Sequence, residues 1–188
     1  MQTVDGSIHT PHYIDDEYYQ KLVNDFSGWR RADREVTDPV FRDSCRRFLD
    51  LEARFLDEVR LEEWLKLYAP NCVYWVPSSA DGDPRKEVSI SFDDRRRLED
   101  RIFRLSTGVA WSQRPTSRTV RLISNIEVYA TDQLEIVMVR SNFQTTEFRA
   151  GETRLWSGWY GHRLRDVGNE YEILVKQVNL INYDQNLR

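Results

Sequence analysis

The chain has 188 residues, of which 40% are apolar, 31% charged and 12% aromatic. That length suits one domain, able to bury roughly two thirds of the surface its unfolded form would expose. A formal net charge of −4 repels phosphate backbones and anionic lipid, so neither nucleic acid nor a membrane surface is an expected partner.

The two cysteines, Cys45 and Cys72, stand on unrelated segments and build neither a disulfide framework nor a CxxC pattern, which fits a reducing cytoplasm. The opening MQTVDGSIHTPHYIDDE has no basic stretch leading into an apolar run, and no segment reaches the ~20 apolar residues of a membrane span. A cytoplasmic protein is expected.

Residues 1–37 read as an N-terminal arm, in which Ile14, Tyr18, Leu22, Val23 and Phe26 fall at the spacing of a short amphipathic helix. Such a helix either packs on its own domain, the slightly favoured expectation, or docks on a partner. Residues 38–188 read as a single α+β domain. Asp38-Pro39 predicts a helix start, since the aspartate accepts orphan amides and proline's fixed φ suits the first turn. Phe41, Cys45, Phe48, Phe55 and Val59 then draw one apolar stripe down a long helix, with Leu49 or Leu51 between them. A second helix, LEEWLKLYA, is expected to stop at Pro70, before a strand CVYWVP and a loop SSADGDP. Ser91 is expected to open a third helix, with Asp94 completing a capping box and Leu98, Ile102 and Leu105 forming its buried stripe. Its run DDRRRLEDRIFR interleaves acids with arginines, the pattern of a salt-bridged or protein-facing surface.

From Thr119 the period changes to two. Segments near 117–130, 134–148, 153–165 and 170–183 are separated by ATDQ, RAGET and DVGNE and predict an antiparallel meander. In the first of them Val120, Leu122, Ile126 and Val128 are expected on one face, while the later segments carry apolar residues on both. A sheet with helices on one side leaves such a second face wet, so self-association or a partner subunit is the simplest cover. Gly158 and Gly161 beside Trp156, Trp159 and Tyr160 suggest bulges or bends that curl the sheet into a half-open cone.

Catalytic signals are sparse. His9, His12 and His162 form no HxxxH and no Cys/His loop, so no metal centre and no Rieske cluster is expected in this chain. There is no GxSxG elbow and no glycine-rich phosphate loop. A curled α+β cone can hold an acid/base pocket, for which Tyr74, Tyr160 and His162 are the candidates; packing and sheet hydrogen bonding are the favoured roles for them. A stand-alone isomerase or dehydratase, or a small-molecule binding protein, is the alternative that pocket would serve.

From Phe48 onward, FLDLEARFLDEVRLEEWLKLYAPNCVYWVP, SFDDRRRLEDRIFRLSTGVAWSQRPTSRTVRLISNIEV, VRSNF and VNLIN together resemble the β, or small, subunit of aromatic-ring-hydroxylating dioxygenases. The resemblance implies a cystatin-like or nuclear-transport-factor-like cone, a strongly curved, mixed but mostly antiparallel sheet wrapped around helices. It implies a mainly structural chain that joins an iron-containing large (α) subunit for the dihydroxylation of aromatic compounds, as a trimer within an α3β3 hexamer. The Rieske 2Fe-2S cluster and mononuclear Fe(II) would lie in the large subunit, fed by NAD(P)H electrons through separate reductase components. The resemblance makes Gly108–Val128 a partner surface, with Trp111 and Pro115 as rigid apolar contacts, Arg114, Arg118 and Arg121 as charged ones and Asn125 holding backbone. Where many relatives read SRTRH this chain reads SRTVR, so the contacts of Val120 and Arg121 depart from the common pattern.

Overall fold

The structure, a computed structural model, describes residues 13–80, 82–107, 116–168 and 170–184. Asp15 accepts the Tyr18 amide at 2.8 Å and opens helix α1 (Asp16–Phe26). A single 3₁₀ turn (Ala32–Arg34) leads to Asp38, which caps α2 (Pro39–Asp57) through the Val40 amide. The stripe along α2 is apolar with one exception: Cys45, Phe48, Leu49, Glu52 and Ala53 are the buried positions.

The end of α2 departs from the expected pattern. Val59 lies past the helix in the left-handed region with φ 57°, its amide reaching the Leu56 carbonyl at 3.3 Å while the Arg60 amide reaches Phe55 at 2.8 Å. This is a Schellman arrangement, and Val59 ends up 53% exposed instead of extending the stripe.

Helix α3 (Leu61–Lys66) is shorter than predicted, because the backbone turns to sheet ahead of the proline. The Leu67 carbonyl accepts from Ile173, and strand β1 (Tyr68–Val76) already includes Pro70, which sits where the register slips between Tyr68 and Val73 and needs no ladder donor. The predicted cap at Ser91 is also corrected. Ser91–Asp94 form a short strand β2 that pairs antiparallel with β1, and α4 (Arg95–Ser106) starts three residues later with Asp94 accepting the Arg97 amide at 2.8 Å. Both residues are good caps; pairing of Phe92 opposite Trp75 decides between them.

Strands β3 (Arg118–Ala130), β4 (Ile136–Arg149), β5 (Glu152–Asp166) and β6 (Tyr171–Leu180) follow as the predicted meander. Ala150 and Gly151, with φ of 52° and 87°, make the two-residue turn whose twist matches a hairpin. The sheet order is β2-β1-β6-β5-β4-β3, with β1 parallel to β6 and all other pairs antiparallel. The fold is the α+β curved sheet that the resemblance implied, with α2, α3 and α4 against its inner face. Helix α1 lies on the other side, where Ile14 and Leu22 pack with Val73, Trp75, Ile136 and Val175. The segment after α1 continues across this outer face, with Trp29 edge-on to Tyr129 and the Val36 amide on the Val128 carbonyl.

Two expectations about the strands change. In β3 the register shifts between Ser124 and Glu127, and Asn125 takes φ 50° there. This bulge reverses the alternation, so Val120 and Leu122 face outward and exposed while Val128 is fully buried inside. The glycines of β5 are not bulges, because its pairing with β4 runs unbroken from Ile136↔Arg165 to Arg149↔Glu152. They permit close approach instead: a Cβ at Gly158 would stand 1.9 Å from the Asn179 carbonyl oxygen, and one at Gly161 2.9 Å from the Phe26 ring.

Candidate functional site

Polar groups inside the cone converge on Glu52, which α2 turns inward because it falls three and four residues from Leu49 and Phe48 on the apolar stripe. Its Oε1 accepts from Lys176 Nζ at 2.7 Å, Trp64 Nε1 at 3.1 Å and the Tyr68 hydroxyl at 3.3 Å. Its Oε2 lies 3.1 Å from His162 Nε2. Glu52 and Lys176 are each 2% exposed and His162 is fully buried. Burial alone would raise the Glu52 carboxyl, yet the Lys176 ammonium and the His162 hydrogen bond hold it well below the usual range. Burial lowers both His162 and Lys176 against the pull of Glu52. A neutral His162 carrying its proton on Nε2 donates to Glu52, which leaves only the Nδ1 lone pair without a hydrogen-bond partner.

The three residues expected at an acid/base pocket do share this inner face. Tyr160 stacks on Phe143 at 4.1 Å, meets the His162 ring edge-on at 5.7 Å and carries the Lys176 ammonium 4.2 Å above its ring. Tyr74 packs against Trp64 at 6.1 Å. Desolvation pushes the Tyr74 hydroxyl up to about 12 and Tyr160 higher still. Phenols held that firmly protonated are poor proton donors at neutral pH, and both oxygens of the one carboxylate are already taken. Apart from the Nδ1 lone pair of His162, the cluster is internally hydrogen-bonded and acts as an ionic tie between α2, α3, β1, β5 and β6. Sequence reasoning missed Glu52 and Lys176, although a glutamate on the buried stripe and a lysine inside the apolar run ILVKQV were the available signals.

Both cysteines are buried, and desolvation raises Cys72 to about 12, far from a nucleophilic thiolate. Among the described residues no group of three His, Cys, Asp or Glu is placed to hold a metal ion, and no helix is long and apolar enough to cross a membrane.

Of the residues expected at the partner surface, Trp111, Arg114 and Pro115 lie outside the described residues. Arg118 and Arg121 are three apart on a strand and so point to opposite faces. Arg118 faces outward with its guanidinium 4.8 Å from the Phe148 ring. Arg121 turns inward and pairs with Asp57 at the end of α2, whose carboxylate also accepts the Arg121 amide and the Thr119 hydroxyl, each at 2.8 Å. Asn125 occupies the bulge. Around Arg118 the outer face carries three cross-strand rows: Arg118, Phe148 and Thr153; Val120, Thr146 and Leu155; Leu122, Gln144 and Ser157. Val120, Leu122 and Leu155 are 62%, 61% and 58% exposed, an uncovered apolar area on the half of the sheet that α1 does not reach.

Residues 51–184 match the family model described as the ring hydroxylating beta subunit. The chain is 38% identical over 153 residues to the β subunit of benzoate 1,2-dioxygenase from Acinetobacter baylyi, covering 78% of this chain and 90% of that one. It is 36% identical to the small subunit of 2-halobenzoate 1,2-dioxygenase from Burkholderia cepacia, over 72% and 85% of the two chains. The crystal structure of the benzoate 1,2-dioxygenase β subunit from Burkholderia mallei superposes with a TM-score of 0.64 at 30% identity, covering 76% of this chain and 93% of that one. The family model and these relatives show that the chain belongs to the β subunits of aromatic-ring-hydroxylating dioxygenases, the non-catalytic small component of an oxidoreductase complex.

Proposed function

We propose that this chain is the scaffold on which a large, iron-containing subunit is arranged for dihydroxylation of single-ring aromatic carboxylates, in a cytoplasmic α3β3 assembly. The observation that carries the scaffold role is the outer face, whose apolar rows at Val120, Leu122, Phe148 and Leu155 stand exposed, while inside the cone both oxygens of Glu52 are already engaged. Association with other chains removes that area from water at about 25 cal/mol per Å² before ordering costs. Arg118 stands at the edge of the same rows and supplies a bidentate donor to a partner carboxylate or carbonyl. The bulge at Asn125 ends them, since it turns the strand's alternation over. Benzoate and 2-halobenzoate in the names of the relatives support the substrate class. The Rieske cluster and mononuclear iron belong, on this reading, to the large subunit, with electrons delivered from NAD(P)H by separate reductase components.

Co-expression with a Rieske-containing large subunit tests the reading. The purified complex, supplied with its reductase, is expected to convert benzoate to a cis-diol acid, and this chain alone to convert none. Turnover by the isolated chain, or a complex equally active without it, would overturn the scaffold role. A complex that ignores benzoate but oxidises unsubstituted arenes would overturn only the substrate class.

A further inference from the structure

The segment after α1 turns at Gly28, with φ 62°, and lays Trp29 across the outer face. Beneath it lies a cleft of about 380 Å³ whose lining includes Phe26, Trp29, Trp75, Trp159, Arg30 and Gln177. Phe26 is the hub, edge-on to Trp29 at 6.2 Å and to Trp75 at 6.1 Å, and it reaches the sheet only because Gly161 has no side chain. The Trp75 indole N–H is fixed by Ser89 at 3.0 Å, which sets the orientation of its ring.

Two guanidinium groups stand beside these rings. The guanidiniums of Arg30 and Arg140 lie 5.6 and 5.5 Å from the same Trp159 ring. Among the described residues Arg30 is exposed and in no ion pair, whereas Arg140 has only Glu127 at 3.7 Å, and its buried Nε has no hydrogen-bond partner. The cleft combines aromatic faces with the Arg30 guanidinium, at a volume near the lower end of small-molecule sites.

We infer that the cleft between Trp29, Trp75 and Trp159 is a binding site for a planar single-ring aromatic carboxylate, its ring against the indoles and its carboxylate on Arg30. The site is read from this chain's own residues and stands apart from the substrate class proposed above, because its test needs no large subunit. Titration calorimetry of the full chain with benzoate is expected to give one saturable site, accompanied by quenching of tryptophan fluorescence. Arg30→Gln, a change at an exposed position, is expected to weaken it at least about tenfold, the scale of one charge-assisted hydrogen bond. Benzamide, which keeps the ring and loses the charge, and cyclohexanecarboxylate, which keeps the charge and loses the ring, are each expected to bind at least as weakly. The absence of both heat and quenching with millimolar benzoate would overturn the inference. So would equal binding of benzoate to Arg30→Gln, or of cyclohexanecarboxylate to the wild-type chain.

Discussion

The two faces of one sheet are built in opposite senses. On the inner face the molecule buries charge, with Glu52, Lys176 and His162 sharing five elements' worth of contacts and almost no solvent. On the outer face, away from α1, it leaves Val120, Leu122 and Leu155 mostly in water. A chain selected to work alone would do the reverse, because buried ions cost several kcal/mol of desolvation and exposed apolar rows invite association. On the function proposed above, the inner face holds the specificity of the fold and the outer face supplies the free energy of assembly.

Breaking the inside gives the largest effect. Glu52→Ala leaves the Lys176 ammonium buried without its carboxylate and is expected to remove about 3–5 kcal/mol of stability, read from urea unfolding. The double substitution Glu52→Gln with Lys176→Met removes both charges and is expected to cost clearly less than the sum of the single changes, since paired buried groups are coupled. An additive result would show that the tie is not one unit. The outside responds differently. Leu122→Glu is expected to shift the isolated chain's stability by no more than about 0.5 kcal/mol, yet to weaken assembly with partner chains by at least about 2 kcal/mol, roughly thirtyfold, by sedimentation.

Acid should find the inside first. The folded-state pKa values of His162, Glu52 and Lys176 are all lowered, so the unfolded chain binds more protons and stability rises with pH. As pH falls below 6.5, the ordinary histidine value, folding should lose about 1.4 kcal/mol per pH unit for the one proton His162 refuses, with Glu52 adding its share below 4.5. His162→Gln should flatten the first of these slopes, and an unchanged slope would assign it to another group. The smallest effect belongs to neither face: Val59→Gly relieves a β-branched residue held at φ 57° and is expected to stabilise the chain by up to about 1 kcal/mol in thermal unfolding.

Most of the architecture was legible because it rests on period. Helix spacing marked α1, α2 and α4, alternation marked the four long strands, and the chemistry of ATDQ, RAGET and DVGNE marked the turns between them. What escaped depends on contacts far apart in the chain. The strand at Ser91–Asp94 exists because Trp75 and its neighbours offer an edge, and the inversion of β3 depends on a single left-handed residue, Asn125, that carries no period. For the same reason Arg118 and Arg121 were grouped although they point to opposite faces of one strand, and Arg121 answers to Asp57, which lies 64 positions away. Tyr74, Tyr160 and His162 could be named from residue type, but Glu52, the carboxylate that His162 meets, read as one more acid on a charged helix.

The central claim is that the bare outer rows are where this chain meets the rest of its complex. Native mass spectrometry of the chain co-expressed with its large subunit, as wild type and as Leu122→Glu, tests it most directly. The account predicts a wild-type particle with equal numbers of the two chains, and a variant recovered largely as free small subunit with its fold intact. A Leu122→Glu chain that enters the particle undiminished, or a wild-type chain that stays single beside its partner, would contradict it.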